Sequence, residues 1–406
     1  MIRDTHIVDI GINAFSFGIE ELKDLLNTPD IKVITGVRRS GKSKLMDALE
    51  DMIRENDPDA NIIHINYNLT DFENILEYHA LEAYVENLWR TVKNNYLLID
   101  EIQMCDGFEK AVNSLHAREK YDIYITGSNA FLQSSDLATL FVGRTYEIQV
   151  FPFSFREYLV YYPSENIYAR LTNYITDGGM AGSYLYKSEG QRFRYINSEV
   201  LNALIVRDIV RKNKIRNEPL LHQLIDFLMD NIGSMTSVRT ITNTLASNNM
   251  KTDHKTVGKY ITYLCRSFAF YRVRRYDIKG KKYLQSEDKY YLSDQSFRYA
   301  RLGTKNMDYG RILENIVAIE LLRRGYEVYV GVLYKEEIDF VCTKQGERIY
   351  IQVAYDISDN KTFEREVDPL LRIRDAYPKM IIARTYQPAW QYEGIQIIDA
   401  ADWLLR

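Results

Sequence analysis

Cysteine is scarce in this chain. Three thiols, Cys105, Cys265 and Cys342, are spread over 406 residues with no C-x-x-C pair among them. That argues against a disulfide framework or a cysteine-rich zinc site and fits a reducing compartment. Histidine is as sparse, six residues scattered along the chain. No apolar run approaches the ~20 residues that a membrane helix requires, and Met1-Ile-Arg-Asp4 does not open a signal-peptide pattern. A cytoplasmic protein without membrane contact is therefore expected. Internal repeats, low-complexity stretches and long linkers are missing too. So is any large excess of one charge: 52 basic against 56 acidic residues leave a net charge of −4. Any contact with nucleic acid would have to come from a local patch and not from the overall field.

What is there is ordinary globular material, 46% hydrophobic and 27% charged, in a length that suits two to four domains. The 32 tyrosines suit packing at amphipathic surfaces, not catalysis.

The chain is organised around one stretch. Gly36, Val37, Arg38, Arg39, Ser40, Gly41, Lys42 and Ser43 read G-x-x-x-x-G-K-S. Apolar Ile31–Thr35 precedes them and a helical pattern starts near Lys42 and continues from Lys44. A phosphate cradle needs a strand to deliver the loop and a helix to receive it. The glycines let successive backbone N–H groups turn inward, and the helix N-terminus adds its positive end. Lys42 would reach phosphate oxygens and the Ser43 hydroxyl would ligate Mg²⁺.

An NTPase also needs carboxylates. Leu97-Leu-Ile-Asp100-Glu101 ends a continuous apolar run, as a buried parallel strand should read, and ligands gather at the carboxyl ends of such strands. Asp100 would hold Mg²⁺, directly or through water, and Glu101 would polarise the attacking water. Ser128 and Asn129 end the next strand, where a polar side chain can sense a γ-phosphate; a plain turn is the competing reading. Arg144 precedes the following strand and is either an arginine delivered to a neighbouring subunit's γ-phosphate or a surface residue. If it acts in trans, activity requires a homo-oligomer.

In chain order, strands are expected at Ile31–Thr35, Asn61–Tyr67, Tyr96–Asp100, Tyr121–Thr126 and Tyr146–Val150, alternating with helices. That pattern implies a parallel sheet covered on both faces. Strand signals fade after Phe151. Phe153–Leu159 and Gln191–Lys212 read as helical around a loop at Asp177–Gly182. Leu221–Met229, Ser237–Leu245 and Asp253–Leu264 then give three helices, and Phe268–Tyr276 with Lys281–Leu292 a hairpin. This is the winged helix-turn-helix pattern. Its hairpin is basic: Arg272, Arg274, Arg275, Lys279, Lys281 and Lys282 lie against a single acid, Asp277. Beside a helix carrying His254, Lys255 and Lys259, such a wing would grip the phosphates of double-stranded DNA. A solvated hairpin in a protein-binding fold is the other reading. A compact α/β region closes the chain.

Taken together, GVRRSGKS, LLIDEIQ, YITGSNA, VGRTYEIQVFPFSFREY, GRILENIVAIELLRRGY and EEIDFV resemble the prokaryotic AAA-type P-loop ATPases of the AAA+ superfamily. In these a winged helix-turn-helix and a C-terminal domain of unknown function, DUF4143, follow the ATPase core. The resemblance implies an α/β P-loop core at 1–160, a helical lid or connector at 161–218, a winged helix at 219–300 and a small restriction-endonuclease-like α/β domain at 301–406. Gly178-Gly-Met-Ala181 is similar to the family's Gly-Gly-x-Pro element, with alanine in place of proline. Glu314, Asp339 and Gln352-Val-Ala354 resemble the metal site of PD-(D/E)XK nucleases. Here Gln352 offers only a neutral amide where hard cations favour carboxylates, and Ala354 supplies no ammonium. The site is expected to be degenerate, at most a weak cation site, and cleavage of nucleic acid the least expected activity. ATP and Mg²⁺ are the expected cofactors. The partner is expected to be DNA or, alternatively, a protein gripped by an ATP-driven switch.

Overall fold

A computed structural model describes residues 16–91, 93–127, 140–141, 143–248, 250, 252–280, 282–304 and 307–406, with backbone alone for 16–17 and 282–286. The chain divides into two units, Met1–Phe151 and Pro152–Arg406.

In the first unit, the apolar runs become a five-stranded parallel sheet. Along the chain come α1 (Ser16–Asp24), β1 (Ile31–Gly36), α2 (Lys42–Asn56), β2 (Asn61–Asn66), α3 (Tyr78–Leu88), β3 (Asn95–Asp100), α4 (Phe108–Ala117), β4 (Asp122–Thr126) and β5 (Thr145–Val150). The spatial order is β2-β3-β4-β1-β5, every neighbouring pair parallel. The three inner strands are buried along their whole length, whereas the two edge strands, β2 and β5, show exposure in their patterns. That split is why the inner strands read as continuous hydrophobic runs. Leu81 and Val85 of α3 pack with Val112 and Leu115 of α4 onto Val33, Leu97, Ile99 and Ile125. Helix α2 buries a separate stripe, Leu45, Leu49, Met52 and Ile53.

One charge interrupts the inner strands. Lys32 is fully buried, and its ammonium bonds the Asp122 carboxylate on β4 and the Thr28 carbonyl. A buried charge persists only with such partners.

The topology sets the site. β4 is inserted between β1 and β3, so the carboxyl ends of all three lie side by side: Ile34 is level with Thr126, and Ile125 with Ile99.

The second unit begins with helices α5 (Phe155–Tyr161), α6 (Ile167–Asp177) and α7 (Glu189–Tyr195). The last continues in wider π-type turns at Ile196–Leu201 and Leu204–Arg211. There follow α8 (Glu218–Asp230), α9 (Val238–Ser247), α10 (His254–Arg266), β6 (Phe270–Asp277), β7 (Lys282–Leu292), α11 (Ser296–Leu302) and α12 (Tyr309–Arg323). The remainder is β8 (Glu327–Leu333), β9 (Glu336–Lys344), β10 (Glu347–Ala354), α13 (Asn360–Leu371), β11 (Lys379–Ala383), β12 (Trp390–Tyr392), β13 (Ile395–Asp399) and α14 (Ala400–Leu405). Of these, α6 and α11 have no counterpart among the expected elements.

Here the hairpin pairs across the boundary expected at residue 300. β6 pairs in parallel with β8, which makes β6 and β7 the edge of one eight-stranded sheet, β12-β13-β11-β10-β9-β8-β6-β7. Tyr276 of β6 shares a core with Ile338, Val341, Tyr350 and Ile381. A division at residue 300 therefore falls inside a single sheet.

The Gly-Gly element also has a fixed shape without its proline. Gly178 ends α6 at φ +71°, where side chains are disfavoured. A Cβ on Gly179 would lie 2.2 Å from the Phe153 carbonyl oxygen. The Gly179 N–H donates to the Asp294 carboxylate, and the Phe153 N–H donates to the Gly179 carbonyl. Burial pushes the Asp294 carboxyl up to about 6. Ala181 then opens a short 3₁₀ turn.

Candidate nucleotide site

The cradle stands where β1 stops and α2 starts. Gly36 has φ +140°, and a Cβ there would lie 2.1 Å from the Val150 carbonyl oxygen of β5. Only glycine fits so close an approach. Gly41, at φ +105°, occupies the cap position of α2 and contributes no side-chain cap. The first N–H groups of an α-helix have no partner within it. With glycine at the cap, no side chain competes for them, and the helix start is suited to an anion.

Lys42 is buried, and its ammonium donates to the Gly36 and Val37 carbonyls at 2.9 and 3.1 Å. The lysine thus lies folded along the loop it serves. Arg39 holds a left-handed conformation (φ 65°) and is exposed. Ser40 is buried with no hydrogen-bond partner for its hydroxyl among the described residues. Ser43 is partly exposed, and Lys44 points to solvent and pairs with Asp47.

Asp100 ends β3 at 1% exposure. The Thr126 hydroxyl donates to its Oδ1, while Oδ2 is buried without a partner among the described residues. Leaving a carboxylate oxygen dry and unpaired is costly; a cation ligated there would relieve that cost. The donor set therefore fits Mg²⁺: a hard cation favours this carboxylate and the Ser43 hydroxyl.

Glu101 follows in a left-handed conformation, φ 59°. Its backbone N–H donates to the Thr126 hydroxyl at 3.1 Å, and its carboxylate accepts from the Gln103 amide. A non-glycine residue held there is uncommon, and such backbone is concentrated at functional sites. Thr126 thus binds both acids at once, yet sequence reasoning did not select it. Its only signal was its place as the last residue of the strand between β1 and β3. Asn129 and Ser128 lie outside the described residues.

Arg144 is exposed just before β5, and its carbonyl accepts from the Ile31 N–H at the start of β1. Because β1 and β5 are parallel, this is the sheet end opposite the cradle. At ~3.3 Å per residue, six residues of β1 separate them by roughly 20 Å. Arg144 does not reach the cradle of its own chain.

The second unit holds the remaining candidates. On α10, Lys255 and Lys259 are exposed, with Thr262 and Arg266 following on the same face. On the hairpin, Arg272 pairs with Asp288 and Arg275 with Glu287, both across the strand pair. Arg274 and Lys279 are exposed, and the Lys279 ammonium lies over the Tyr334 ring. Lys281 lies outside the described residues, as does the side chain of Lys282.

Glu314 on α12 and Asp339 on β9 do converge, but around a residue that sequence reasoning missed. The Lys289 ammonium, from β7, is 2.7 Å from Glu314, 2.6 Å from Glu337 and 3.5 Å from Asp339. Tyr291 donates a further bond to Glu314 at 2.6 Å. Burial pushes the Glu314 carboxyl up to about 7, with Lys289 opposing it. Burial works against the charge of Lys289 too, but the surrounding carboxylates outweigh it and hold its pKa above the usual lysine range. Gln352, expected to offer a cation no more than a neutral amide, has both ends of that amide engaged. Its amide oxygen accepts from the Asp339 N–H at 2.6 Å, and its amide nitrogen donates to Glu366. Among the described residues, no group of three or more His, Cys, Asp or Glu could hold a metal ion. No helix there is long and apolar enough to cross a membrane.

Comparison with known proteins agrees with the first unit. Residues 28–159 match the family described as an AAA domain. Residues 168–308 match a domain of unknown function, DUF8612. This replaces the DUF4143 assignment, and the match runs from the helical segment through the hairpin. An uncharacterized protein of Haemophilus influenzae is 37% identical over 394 residues, covering 96% of this chain and 97% of that one. Another, of Methanocaldococcus jannaschii, is 30% identical over 356 residues, covering 83% and 77%. Among solved structures, a Walker-type ATPase of Pyrococcus abyssi aligns at a TM-score of 0.42 and 16% identity, over 70% of this chain and 94% of that one. The chain belongs to one family with its Haemophilus and Methanocaldococcus relatives, and its first unit has the fold of a P-loop NTPase core with a match to an AAA domain.

Proposed function

We propose that the protein is a Mg²⁺-dependent ATPase whose nucleotide state regulates a DNA-binding winged-helix module. The observation that carries the ATPase reading is the buried Oδ2 of Asp100, without a partner among the described residues, beside a complete phosphate cradle. ATP would lie on the loop from Gly36 to Lys44, its phosphates met by the start of α2 and by Lys42. Ser43 and Asp100 would hold Mg²⁺, which supplies charge neutralisation at the phosphates when bound. Glu101 would accept hydrogen bonding from the attacking water and draw off its proton as general base, with Asn129 reading the γ-phosphate. Given its place at the far end of the sheet, Arg144 would complete a neighbour's site. Arg144→Ala and Glu101→Gln, each inactive alone, should then recover turnover when mixed; no recovery removes the trans role.

Support for the DNA reading comes from element order and exposure. Helix α8 is followed by an isolated bridge, Thr236 to Asp288, then by α9, α10 and the hairpin. Lys255 and Lys259 on α10 and Arg274 and Lys279 near the hairpin are exposed. A protein partner is the second reading. It is favoured by the pairing of Arg272 and Arg275 with carboxylates on β7, which cancels part of the expected basic patch. Nucleotide can bias either partner only through contacts that differ between two states.

Steady-state ATP hydrolysis of wild type and Glu101→Gln, with and without duplex DNA, tests both levels. Glu101→Gln should keep ATP binding and lose roughly 10²–10⁴-fold in turnover, the span of general-base contributions. Turnover at the wild-type rate removes Glu101 from the chemistry. Duplex binding should fall steeply with salt; absent or salt-insensitive binding leaves the protein-partner reading standing.

A further inference from the structure

The nuclease-like resemblance leaves at most a weak cation site at Glu314 and Asp339, and the structure fills even that place. The place between the acids already contains a cation. Lys289 enters from β7, an edge strand of the sheet, while Glu314 comes from α12 and Glu337 and Asp339 from β9. Its side chain is 2% exposed, and its ammonium touches one oxygen of each acid. The second Asp339 oxygen accepts the Val353 N–H at 2.9 Å. Gln352, where the nuclease pattern has a carboxylate, is turned onto the Asp339 backbone.

We infer that Lys289 is a tethered counter-ion standing where a divalent metal would stand, so that the cluster is a closed strut joining β7, β9 and α12, not a metal centre. An ammonium with three donors and one charge can satisfy three acids from two elements at one point. A metal entering beside it would meet a like charge at contact distance, which the buried setting leaves unscreened. Removal of the ammonium should therefore create a metal site that the natural protein lacks.

Mn²⁺ uptake, read by loss of the free-ion electron paramagnetic resonance signal, tests this on the full chain without nucleotide. The variant is Lys289→Met, which keeps the apolar stem and removes the charged end. It should take up one more Mn²⁺ per chain than wild type, with at least ten-fold tighter Kd than wild type shows at this cluster. Adding Asp339→Asn should abolish that gain while leaving any uptake at the nucleotide cradle. Should Lys289→Met not fold, Lys289→Gln carries the same comparison in the presence of Mn²⁺. Wild-type uptake that Asp339→Asn removes would overturn the inference. So would a Lys289 variant that gains no Mn²⁺, or failure of both variants to fold with Mn²⁺ present.

Discussion

Two carboxylate centres among the described residues are finished differently. At Asp100 one oxygen is bonded by Thr126 and the other is buried with no partner among the described residues. At Glu314, Glu337 and Asp339 a lysine from the same chain is bonded to every member. The first arrangement costs stability until something binds; the second is complete as folded. The proposed cation site at Asp100 and the cluster around Lys289 thus differ in the partner of the last oxygen, not only in the number of acids.

Stability should divide along that line. Lys289→Met leaves buried carboxylates uncompensated and should cost about 3–5 kcal/mol, as breaking a buried ion pair does. Asp100→Asn removes a charge that makes no ion pair among the described residues and should change stability by less than about 1 kcal/mol, or raise it. Urea denaturation of both variants reads the contrast. Equal losses would erase the distinction between the two centres.

Thr126 sharpens the first centre further. Its hydroxyl fixes the Asp100 carboxylate and receives the Glu101 N–H, while its own burial keeps it from any substrate. Thr126→Val preserves shape and removes both bonds. A hydrogen bond to a charged group is worth about 1.5–3 kcal/mol, so turnover should fall roughly ten- to hundred-fold with a smaller change in KM for ATP. Thr126→Ser should restore most of it. A variant that loses stability but keeps kcat would make Thr126 a packing residue only.

How much of this the sequence disclosed depended on distance along the chain. The cradle is eight contiguous residues between a strand and a helix, and Asp100 and Glu101 announce themselves by ending an apolar run. Thr126 does not, because it meets Asp100 only when β4 inserts between β1 and β3, which no local pattern records. Lys289 sits in Asp288-Lys-Tyr-Tyr291, an ordinary strand segment, and its partners lie 25 and 50 residues away. The hairpin itself was legible, but its parallel pairing with β8 was not: that pairing joins strands separated by two helices. In the same way Arg272 and Arg275 read as a basic surface because their acids, Asp288 and Glu287, face them only across the folded hairpin.

The smallest expected effect concerns a third acid, Glu50, and it probes whether an internal partner also steadies the helix behind the cradle. Glu50 lies on α2, and its carboxylate accepts from His64 of β2 at 2.6 Å and from Arg54. The His64 hydrogen bond, with Arg54 adding to it against the effect of burial, holds the Glu50 carboxyl at about 2, below its ordinary 4.5. Burial pulls the His64 imidazolium down, but its bond to Glu50 prevails and the net shift is upward from 6.5. A depressed acid contributes stability above 4.5 that is lost as pH falls toward 2. A raised histidine contributes below 6.5 and loses its contribution as pH rises through the folded-state value. The pair's contribution therefore peaks between pH 4.5 and 6.5. The unfolding free energy of wild type should exceed that of His64→Asn by on the order of 1 kcal/mol at pH 5.5 and by clearly less at pH 8.5. A difference that stays constant across that range would show that His64 acts through packing alone.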